Sequence, residues 1–278
     1  MSTAGVISLE RDTPELARSY EQAGILQFHH GKFLIGPLAL KSGDHVLDIG
    51  AGTGRLTEFV AGLVGPAGRV IGIDPLENRI AIARLRASDT LTFDVGRAED
   101  LSRFGPAQFD AVYLNSVFHW IADKRQALRE IERVLKPGGR IGLNAQDATK
   151  PHESRTLLRQ AIEQAGFSER SGESNRVLGA TDTELRALFA ETGFAEYRSD
   201  LRSLVDLHGD VNSVLGWSEA SAFGNFLGSF TSTERAAIDA AFAALVETRR
   251  TPEGLRLERY LRFAFARKPG SRAAPSIS

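Results

Sequence analysis

The sequence predicts an α/β fold in which a mostly parallel sheet carries helices on both faces. Short apolar segments alternate with helical periodicity until about residue 145, the pattern of parallel strands joined by crossover helices. The first apolar segment, 45–49, runs into three glycines at alternate positions, Gly50, Gly52 and Gly54. Residues 55–64 then have the periodicity of a helix. A strand that breaks into a glycine turn and opens a helix is typical of domains that bind a nucleotide-like ligand.

The spacing of the glycines indicates which ligand this turn binds. Missing β-carbons let a ligand approach the backbone, and the helix N-terminus is expected to offer N–H groups. The dinucleotide fingerprint G-x-G-x-x-G would place its third glycine at position 55, which is Arg55. The turn therefore favours another adenosine ligand over NAD or FAD.

Four more strands are predicted in the N-terminal half of the chain. The segment 69–74 ends in Asp74, more than twenty residues after the glycine turn begins, where an acid can accept hydrogen bonds from ribose hydroxyls. The segment 91–100 has an acidic end, and 109–115 ends in Asn115. A helix over 124–135 leads through a Pro-Gly-Gly turn into the fifth strand.

In this order the segments resemble class I S-adenosylmethionine-dependent methyltransferases, and among them the UbiE-like group called type 11. The resemblance covers about residues 40–145 and rests on the motifs Val-Leu-Asp-Ile-Gly-x-Gly-x-Gly, Gly-Ile-Asp, Ala-Glu-Asp, Phe-Asp-x-Val and Leu-Lys-Pro-Gly-Gly. It implies S-adenosyl-L-methionine as the cofactor, methyl transfer as the activity and a Rossmann-like, seven-stranded, mostly parallel sheet. The last two strands, predicted at 200–206 and 260–267, would form its antiparallel end.

The resemblance also assigns residues to the cofactor. Asp48 would organise the loop and the methionine amino group, and Asp74 would bind the ribose. Pro75 and Leu76 would wall the adenine. The full predicted set is Tyr20, Asp48, Gly50, Gly52, Gly54, Asp74, Pro75, Leu76, Ala98, Glu99 and Asn115.

At the adenine edge the chain departs from the family pattern. Gly-Arg-Ala-Glu replaces the more usual Gly-Asp-Ala-Glu, and Arg97 cannot accept a hydrogen bond from the adenine amino group. Recognition is then expected from backbone groups, from Glu99 or Asp100, or from apolar contacts. Asn115 would lie at the mouth of the cleft, where open α/β sheets bind ligands, although a helix-capping role is an alternative.

Composition limits the classes of function. The chain has 278 residues, 42% of them apolar, and a net charge of −1 with acids and bases interleaved, so no nucleic-acid partner is expected. No run approaches about 18 apolar residues and no secretory pattern begins the chain, so no membrane partner is expected and the cytoplasm is the expected location. Cysteine is absent. No metal site is predicted, and arsenite methyltransferases, which look similar but depend on cysteines, are disfavoured. The oligomeric state is left open.

Four regions are predicted along the chain. Residues 1–40 would form an N-terminal helical lid, with one helix over about 14–40. Residues 41–146 would form the cofactor-binding core. Residues 147–268 would complete the sheet and supply a helical cap over the acceptor, from about 147–178 and 207–250. Residues 269–278 would be a disordered tail.

The predicted chemistry makes few demands on side chains. A sulfonium methyl group is already activated, so in-line displacement mainly needs an aligned acceptor atom about 3–3.5 Å away. A general base is required only for a poorly acidic hydroxyl or carbon, and histidine commonly does that work. His119, which follows the fourth strand, is the candidate catalytic residue. A merely packed or solvent-facing histidine is the alternative for it, as for the other five.

The acceptor is expected under an aromatic segment, 216–230, which would form an apolar ceiling or else pack as an ordinary helix. The predicted substrate-binding residues are His29, Phe118, Trp217, Phe223 and Phe226. The leading hypothesis is C- or O-methylation of an apolar secondary metabolite. The alternatives are a methyltransferase-fold enzyme that catalyses a cyclisation or another non-methylating reaction, and a non-catalytic cofactor-binding protein.

Overall fold

The computed structural model describes residues 8–170 and 179–270. The helices are α1 (Pro14–Ala23), α2 (Ile25–Ile35), α3 (Arg55–Val64), α4 (Glu77–Ala83), α5 (Lys124–Val134), α6 (Glu153–Gln164), α7 (Asp182–Glu191), α8 (Val211–Ser221) and α9 (Ser232–Glu247). The strands are β1 (His45–Ile49), β2 (Arg69–Asp74), β3 (Leu91–Val95), β4 (Phe109–Asn115), β5 (Leu135–Gln146), β6 (Ala195–His208), β7 (Arg250–Thr251) and β8 (Gly254–Arg267).

The strands form one sheet in the order β3-β2-β1-β4-β5-β8-β6, and the two-residue β7 pairs with β8 off this path. Strands β1 to β5 pair in parallel, whereas β8 is antiparallel to β5 and to β6. The predicted seven-stranded, mostly parallel sheet is therefore confirmed, with β7 as an addition. The strand order reverses between β1 and β4, which is where such sheets bind ligands.

Strand β4 shows how the sheet is covered on both faces. Because successive side chains of a strand point to opposite faces, Ala111 and Tyr113 pack with α2, α3 and α4, while Val112 and Leu114 pack with α5 and α7. A strand that is buried on both faces has a nearly continuous apolar sequence, and the sequence of β4 is of this kind.

Local signals place several helices accurately. Helix α3 spans the residues predicted for it, and α5 ends one residue earlier than predicted. Helix α7 begins at a capping box, because the backbone N–H of Glu184 donates to Oγ1 of Thr181 and the N–H of Thr181 donates to Oε2 of Glu184.

The N-terminal region differs from its prediction, since two helices replace one. Gly24 separates α1 from α2, and its N–H donates to the carbonyl oxygen of Tyr20 at 2.7 Å. A β-carbon at Gly24 would lie 2.7 Å from that same oxygen, so the turn is tight enough to need glycine. A short 3-10 turn, Gly36–Leu38, then leads toward β1.

The last two long strands extend beyond the predicted 200–206 and 260–267. Their pairing continues from Ala195 opposite Arg267 to His208 opposite Leu255. Main-chain hydrogen bonds hold this ladder, so it includes exposed residues that show no apolar alternation.

Helices α6, α8 and α9 and the segment 226–230 lie in the regions predicted to form a cap, and we call them the cap; their place over an acceptor stays a prediction. Their apolar side chains share a cluster with the start of β8, including Leu158, Val214, Phe242 and Leu257. The parts of the predicted lid, cap and tail at 1–7, 171–178 and 271–278 lie outside the described residues. Within the described ranges, no helix is both long enough and apolar enough to cross a bilayer.

Candidate functional site

A cleft opens at the carboxyl ends of β1, β2 and β4, where the strand order reverses. It encloses about 1080 Å³ of space between atoms, part of it open to solvent. Its walls come from the core loops, from Tyr20 and Gln27 of α1 and α2, and from Trp217 and Phe223 of the cap. A smaller cavity beside Asp48 adjoins it and shares several of its walls. The cleft therefore joins the loops at the sheet edge to the helices that cover them.

The glycine loop after β1 forms the floor of the cleft. Gly50, Gly52 and Gly54 have φ of +81°, +56° and +86°, a region that side chains with a β-carbon disfavour. A β-carbon at Gly52 would point at the ring of Tyr20, 3.2 Å from Cε1, and one at Gly50 would lie 2.1 Å from Cγ2 of Val117. Both glycines line the cleft with their backbone.

Gly54 lies outside the lining of both cavities, and its contact with the cofactor stays a prediction. It is the N-cap of α3 and does not line either cavity, while a β-carbon on it would lie 2.8 Å from Cζ of Phe93 in β3. Close packing between helix and strand leaves no room for a side chain there. Gly54 therefore does the packing work that the dinucleotide fingerprint gives to its own third glycine.

The loop also offers fewer hydrogen-bond donors than the sequence suggested. The N–H groups of Gly50 and Ala51 donate to the carbonyl oxygen of Ile73 at 2.7 and 3.0 Å. The N–H of Gly52 donates to Oδ2 of Asp74 at 2.9 Å. Because the loop closes onto the end of β2, these groups hold the loop in place, and what it provides to a ligand is space.

Asp74 has a structural role besides the predicted one. It is 7% exposed, and its Oδ1 accepts the N–H of Leu76 at 2.9 Å while Oδ2 binds Gly52. Burial raises the pKa of Asp74, and the Arg79 guanidinium and the two backbone N–H groups oppose that rise. Each carboxylate oxygen has a further lone pair, so an acid that lines the cleft can also accept from ribose hydroxyls.

Asp48 leaves one buried oxygen without a partner. Its Oδ2 accepts from the hydroxyls of Tyr113 at 2.6 Å and Thr57 at 2.7 Å, whereas Oδ1 is buried and has no hydrogen-bond partner. Burial raises the pKa of Asp48 to about 7, against the effect of those two bonds. An unsatisfied buried carboxylate oxygen is unfavourable, and the smaller cavity beside it would admit a donor. The methionine ammonium group of the predicted cofactor fits this place.

The side of the cleft predicted for adenine is mostly apolar. Pro75, Leu76 and Ala98 line it, with Leu76 and Ala98 buried. Glu99 and the exposed Arg97 lie at its rim. The structure thus brings the predicted adenine residues together, and their contacts with a ligand stay predictions.

Asn115 lines the cleft, but its side chain is engaged within the protein. Its Nδ2 donates to the carbonyl oxygen of Gln27 at 3.1 Å, and its Oδ1 accepts from Nδ2 of Asn144 at 2.7 Å. Gln27 in turn accepts from Nε1 of Trp217 at 3.2 Å. This chain of bonds joins β4 and β5 through α2 to the cap.

His119 lies in the cleft and is buried. Its Nδ1 accepts the N–H of Gln146 at 3.4 Å, so the proton of the neutral ring is on Nε2. Burial, and then Arg155, Lys124 and Arg259, lower the pKa of His119 to about 3. At neutral pH the ring is therefore an uncharged donor, which opposes the predicted role as a base.

Three predicted substrate residues lie outside the cleft. Phe118 begins a 3-10 turn and packs in the core cluster on one face of the sheet. The next two residues of the turn, His119 and Trp120, line the cleft. His29 is on the exposed face of α2 beside Phe28, because the same helix buries Gln27. Phe226 packs on Phe242 within the cap, with 5.9 Å between ring centroids. Trp217 and Phe223 do line the cleft.

Several lining residues were missed. They are Gln27, Arg79, Trp120, His152, Arg155 and Arg259. One signal was available for Arg259, since it interrupts an alternation of buried apolar residues in β8 and a buried charge needs a partner. Its partner is Asp206 of β6, and its guanidinium also lies 4.1 Å from the ring centroid of Trp217.

Comparison with known proteins bears on the family. A methyltransferase-domain family model, Methyltransf_11, matches residues 47–143. The UbiE ubiquinone/menaquinone biosynthesis C-methyltransferase of Pseudomonas paraeruginosa is 33% identical over 199 residues, which cover 64% of this chain and 76% of that protein. The chain belongs to the UbiE-like, type 11 methyltransferases.

Two further relatives set the limits of this likeness. The demethylmenaquinone methyltransferase of Symbiobacterium thermophilum is 38% identical over 124 residues, 43% of this chain and 49% of that protein, so the chain spans about half the length of such relatives. The crystal structure of YcgJ from Bacillus subtilis aligns with a TM-score of 0.57 over 87% of this chain and 100% of the YcgJ chain. The two sequences are 20% identical, so this likeness shows the fold alone.

Family membership confirms the cofactor predicted from the sequence, S-adenosyl-L-methionine. The site fits it: Asp48 presents an unpartnered buried oxygen, Gly52 lines the cleft without a side chain, and Asp74 ends β2 inside the cleft. The roles of the individual residues in this UbiE-like chain stay predictions.

Proposed function

We propose that this chain transfers a methyl group from S-adenosyl-L-methionine to a carbon or oxygen of an apolar small molecule. The observation that carries the proposal is the unpartnered Oδ1 of Asp48 beside the smaller cavity, which adjoins the core end of a cleft whose other end is walled by cap aromatics. One end thus suits an ammonium group, and the other suits an apolar acceptor. The named relatives act in quinone biosynthesis, which supports an aromatic acceptor.

The core loops would hold the cofactor. Asp48 accepts the ammonium group, Asp74 accepts from the ribose hydroxyls, and Leu76 and Ala98 pack against the adenine. When bound, S-adenosyl-L-methionine supplies an electrophilic methyl group on its sulfonium. The lid would close over it through Tyr20, whose ring lies beside Gly52 and 4.2 Å from the Arg79 guanidinium.

The cap would place the acceptor and keep water away. Trp217, Phe223 and Trp120 form its aromatic wall, with 4.8 Å between the ring centroids of Trp120 and Phe223. Trp217 is fixed by its bond to Gln27 and by the Arg259 guanidinium over its ring. Rigid walls hold an acceptor in alignment, and alignment is the main requirement of the displacement.

No structural observation favours the two alternatives, a cyclisation or cofactor binding without catalysis. Arsenite is disfavoured as the acceptor because the chain has no cysteine to bind arsenic.

Cofactor binding is tested first, by calorimetry with S-adenosylhomocysteine. Asp74→Ala should weaken binding at least tenfold, because a charge-assisted hydrogen bond is worth roughly 1.5–3 kcal/mol. The matched control is Asp94→Ala, which removes an exposed acid of the neighbouring strand that pairs with Arg103 outside the cleft. Unchanged affinity in the Asp74 variant, or no binding by the wild-type protein, would contradict the proposal.

Methyl transfer is tested with cofactor labelled in the methyl group and a cell extract as the source of acceptors. Label in a small-molecule product supports the proposal, and mass spectrometry of that product identifies the acceptor atom. Turnover of extract components without label supports cyclisation or another reaction. Tight binding without either result supports a non-catalytic protein.

A further inference from the structure

Two histidines line the cap end of the cleft, and the hydrogen bonds that they already make leave their remaining ring nitrogens with opposite hydrogen-bonding character. His152, at the start of α6, and His119, after β4, both have less than a tenth of their surface exposed. They are close enough for His119 to contribute to the lowered pKa of His152. What each ring offers a ligand follows from the bonds it already makes.

His152 offers a lone pair. Its Nε2 is buried without a hydrogen-bond partner. A hydrogen bond with the backbone of Tyr260 raises the pKa of His152, which is the effect of a ring N–H that donates to a carbonyl oxygen. Because Nε2 has no partner, the ring nitrogen that makes this bond, and that carries the proton, is Nδ1. Burial, and then Arg259, Arg155 and His119, lower the pKa of His152 well below its ordinary value, so the ring is neutral. Its Nε2 is therefore an acceptor that lacks a donor.

His119 offers the complementary group. Since its Nδ1 already accepts from Gln146, Nε2–H is the ring's remaining polar group. A buried acceptor without a donor is unfavourable, and His30 and His208 also have a buried ring nitrogen without a partner. His152 differs from these two because it lines the cleft, where a ligand can supply the donor. The unmatched nitrogen of His152 points to a ligand.

The surrounding charges restrict the chemistry of that ligand. Two guanidinium groups, of Arg155 and Arg259, lie near His152, and Arg259 is paired with Asp206. They disfavour an ammonium donor at this end. A carbonyl or a carboxylate has no hydrogen to give to Nε2. A neutral hydroxyl has one, and it can also accept from His119.

We infer that His152 determines specificity by accepting a hydrogen bond from a hydroxyl group of the acceptor, while Nε2–H of His119 donates to the same oxygen. This inference rests on the proposed function and narrows its substrate class to hydroxylated apolar molecules. His152 contacts the hydroxyl without taking its proton.

The test uses two probes, 1-naphthol and 1-methoxynaphthalene, with the full chain saturated with S-adenosylhomocysteine. The probes differ in one donor hydrogen. Titration should show that the wild-type protein binds the naphthol about tenfold more tightly, the effect of one buried hydrogen bond. His152→Gln, which keeps an acceptor near the position of Nε2, should retain the preference. His152→Phe, which keeps a ring without an acceptor, should bind the two probes equally. His29→Phe, an exposed histidine, is the matched control.

A second measurement does not depend on the stability of any variant. Nitrogen-15 spectra of the wild-type protein should show His152 protonated at Nδ1 and not at Nε2, and its Nε2 signal should move on addition of 1-naphthol. Protonation at Nε2 in the free protein would overturn the inference. So would equal affinity for both probes, binding of neither, or a preference that survives in His152→Phe. Calorimetry with S-adenosylhomocysteine separates this inference from the proposed function. If the wild-type protein does not bind S-adenosylhomocysteine, the proposed methyl transfer itself is contradicted.

Discussion

The two ends of the cleft are built in different ways. At the core end, glycine conformations, backbone hydrogen bonds and the acids Asp48 and Asp74 come from one short stretch of chain around β1 and β2. At the cap end, the polar groups are side chains from α6, β8 and the turn after β4. The core end is therefore fixed by local geometry, whereas the cap end depends on how distant segments pack. Substitutions should divide along the same line.

The ends also differ in charge. The core end carries the acids Asp48, Asp74 and Glu99 together with Arg79 and Arg97, whereas the charged residues of the cap end are Arg155 and Arg259. Burial and Arg259 lower the pKa of Arg155 to about 10, which still leaves it charged at neutral pH. Among the residues that line the two cavities, the carboxylates that could face a cationic cofactor are all at the core end.

The largest expected effect sharpens the comparison within the glycine loop itself. Gly52→Val should abolish binding of S-adenosylhomocysteine, because its β-carbon would enter the cleft at a φ of +56°. Gly54→Ala should instead destabilise the fold by about 1–3 kcal/mol through overpacking against Phe93, with affinity per folded molecule retained. Calorimetry and urea unfolding distinguish the two. Tight binding by the valine variant would mean that the loop faces elsewhere.

A second prediction separates packing from contact at the cap end. Phe226→Ala should lower the free energy of unfolding by about 3–5 kcal/mol, since Phe226 is buried in the cap cluster. Trp217→Phe should cost about 1 kcal/mol, the net value of its bond to Gln27, while disturbing the cleft wall. Both variants should keep their cofactor affinity. Urea unfolding and calorimetry give the two quantities, and a large loss of cofactor affinity in either variant would break the proposed division of the cleft.

The smallest effect concerns pH at the core end. The pKa of Asp48 is raised to about 7, and a ligand ammonium group binds the ionised form of this acid. The affinity for S-adenosylhomocysteine should therefore fall as pH drops below 7, by up to about tenfold per pH unit. Asp48→Asn should remove this dependence. Calorimetry between pH 5.5 and 8, with the heat of buffer ionisation subtracted at each pH, tests this dependence. A pH-independent wild-type affinity would contradict the assignment of the ammonium group to Asp48.

The stability of the ligand-free protein should respond to Asp48 with the opposite sign. Because its folded pKa lies above the unfolded value of about 4, the folded state binds more protons than the unfolded state between pH 4 and 7. The contribution of Asp48 to stability is therefore most favourable below pH 4 and is lost as pH rises to 7. The difference in unfolding free energy between wild type and Asp48→Asn isolates this contribution from that of the buried histidines.

Sequence reasoning succeeded where the requirement is local. The strand, glycine turn and helix at 45–64 were placed correctly, because each is defined within a few residues. It failed where orientation decides. His29 and Phe118 have suitable side chains on suitable elements, but the rotation of a helix or a 3-10 turn points them away from the cleft.

The sequence by itself determined the family, the cofactor and the parallel sheet with its antiparallel end. Backbone conformation and apolar alternation leave signatures in consecutive residues, and those signatures are sufficient for these conclusions. Only the tertiary structure decided that Gly54 packs while Gly52 faces the cleft, and that His152 keeps a free acceptor. Each of those outcomes depends on a residue from another element, Phe93 in one case and Tyr260 in the other, and packing of separate segments sets such contacts.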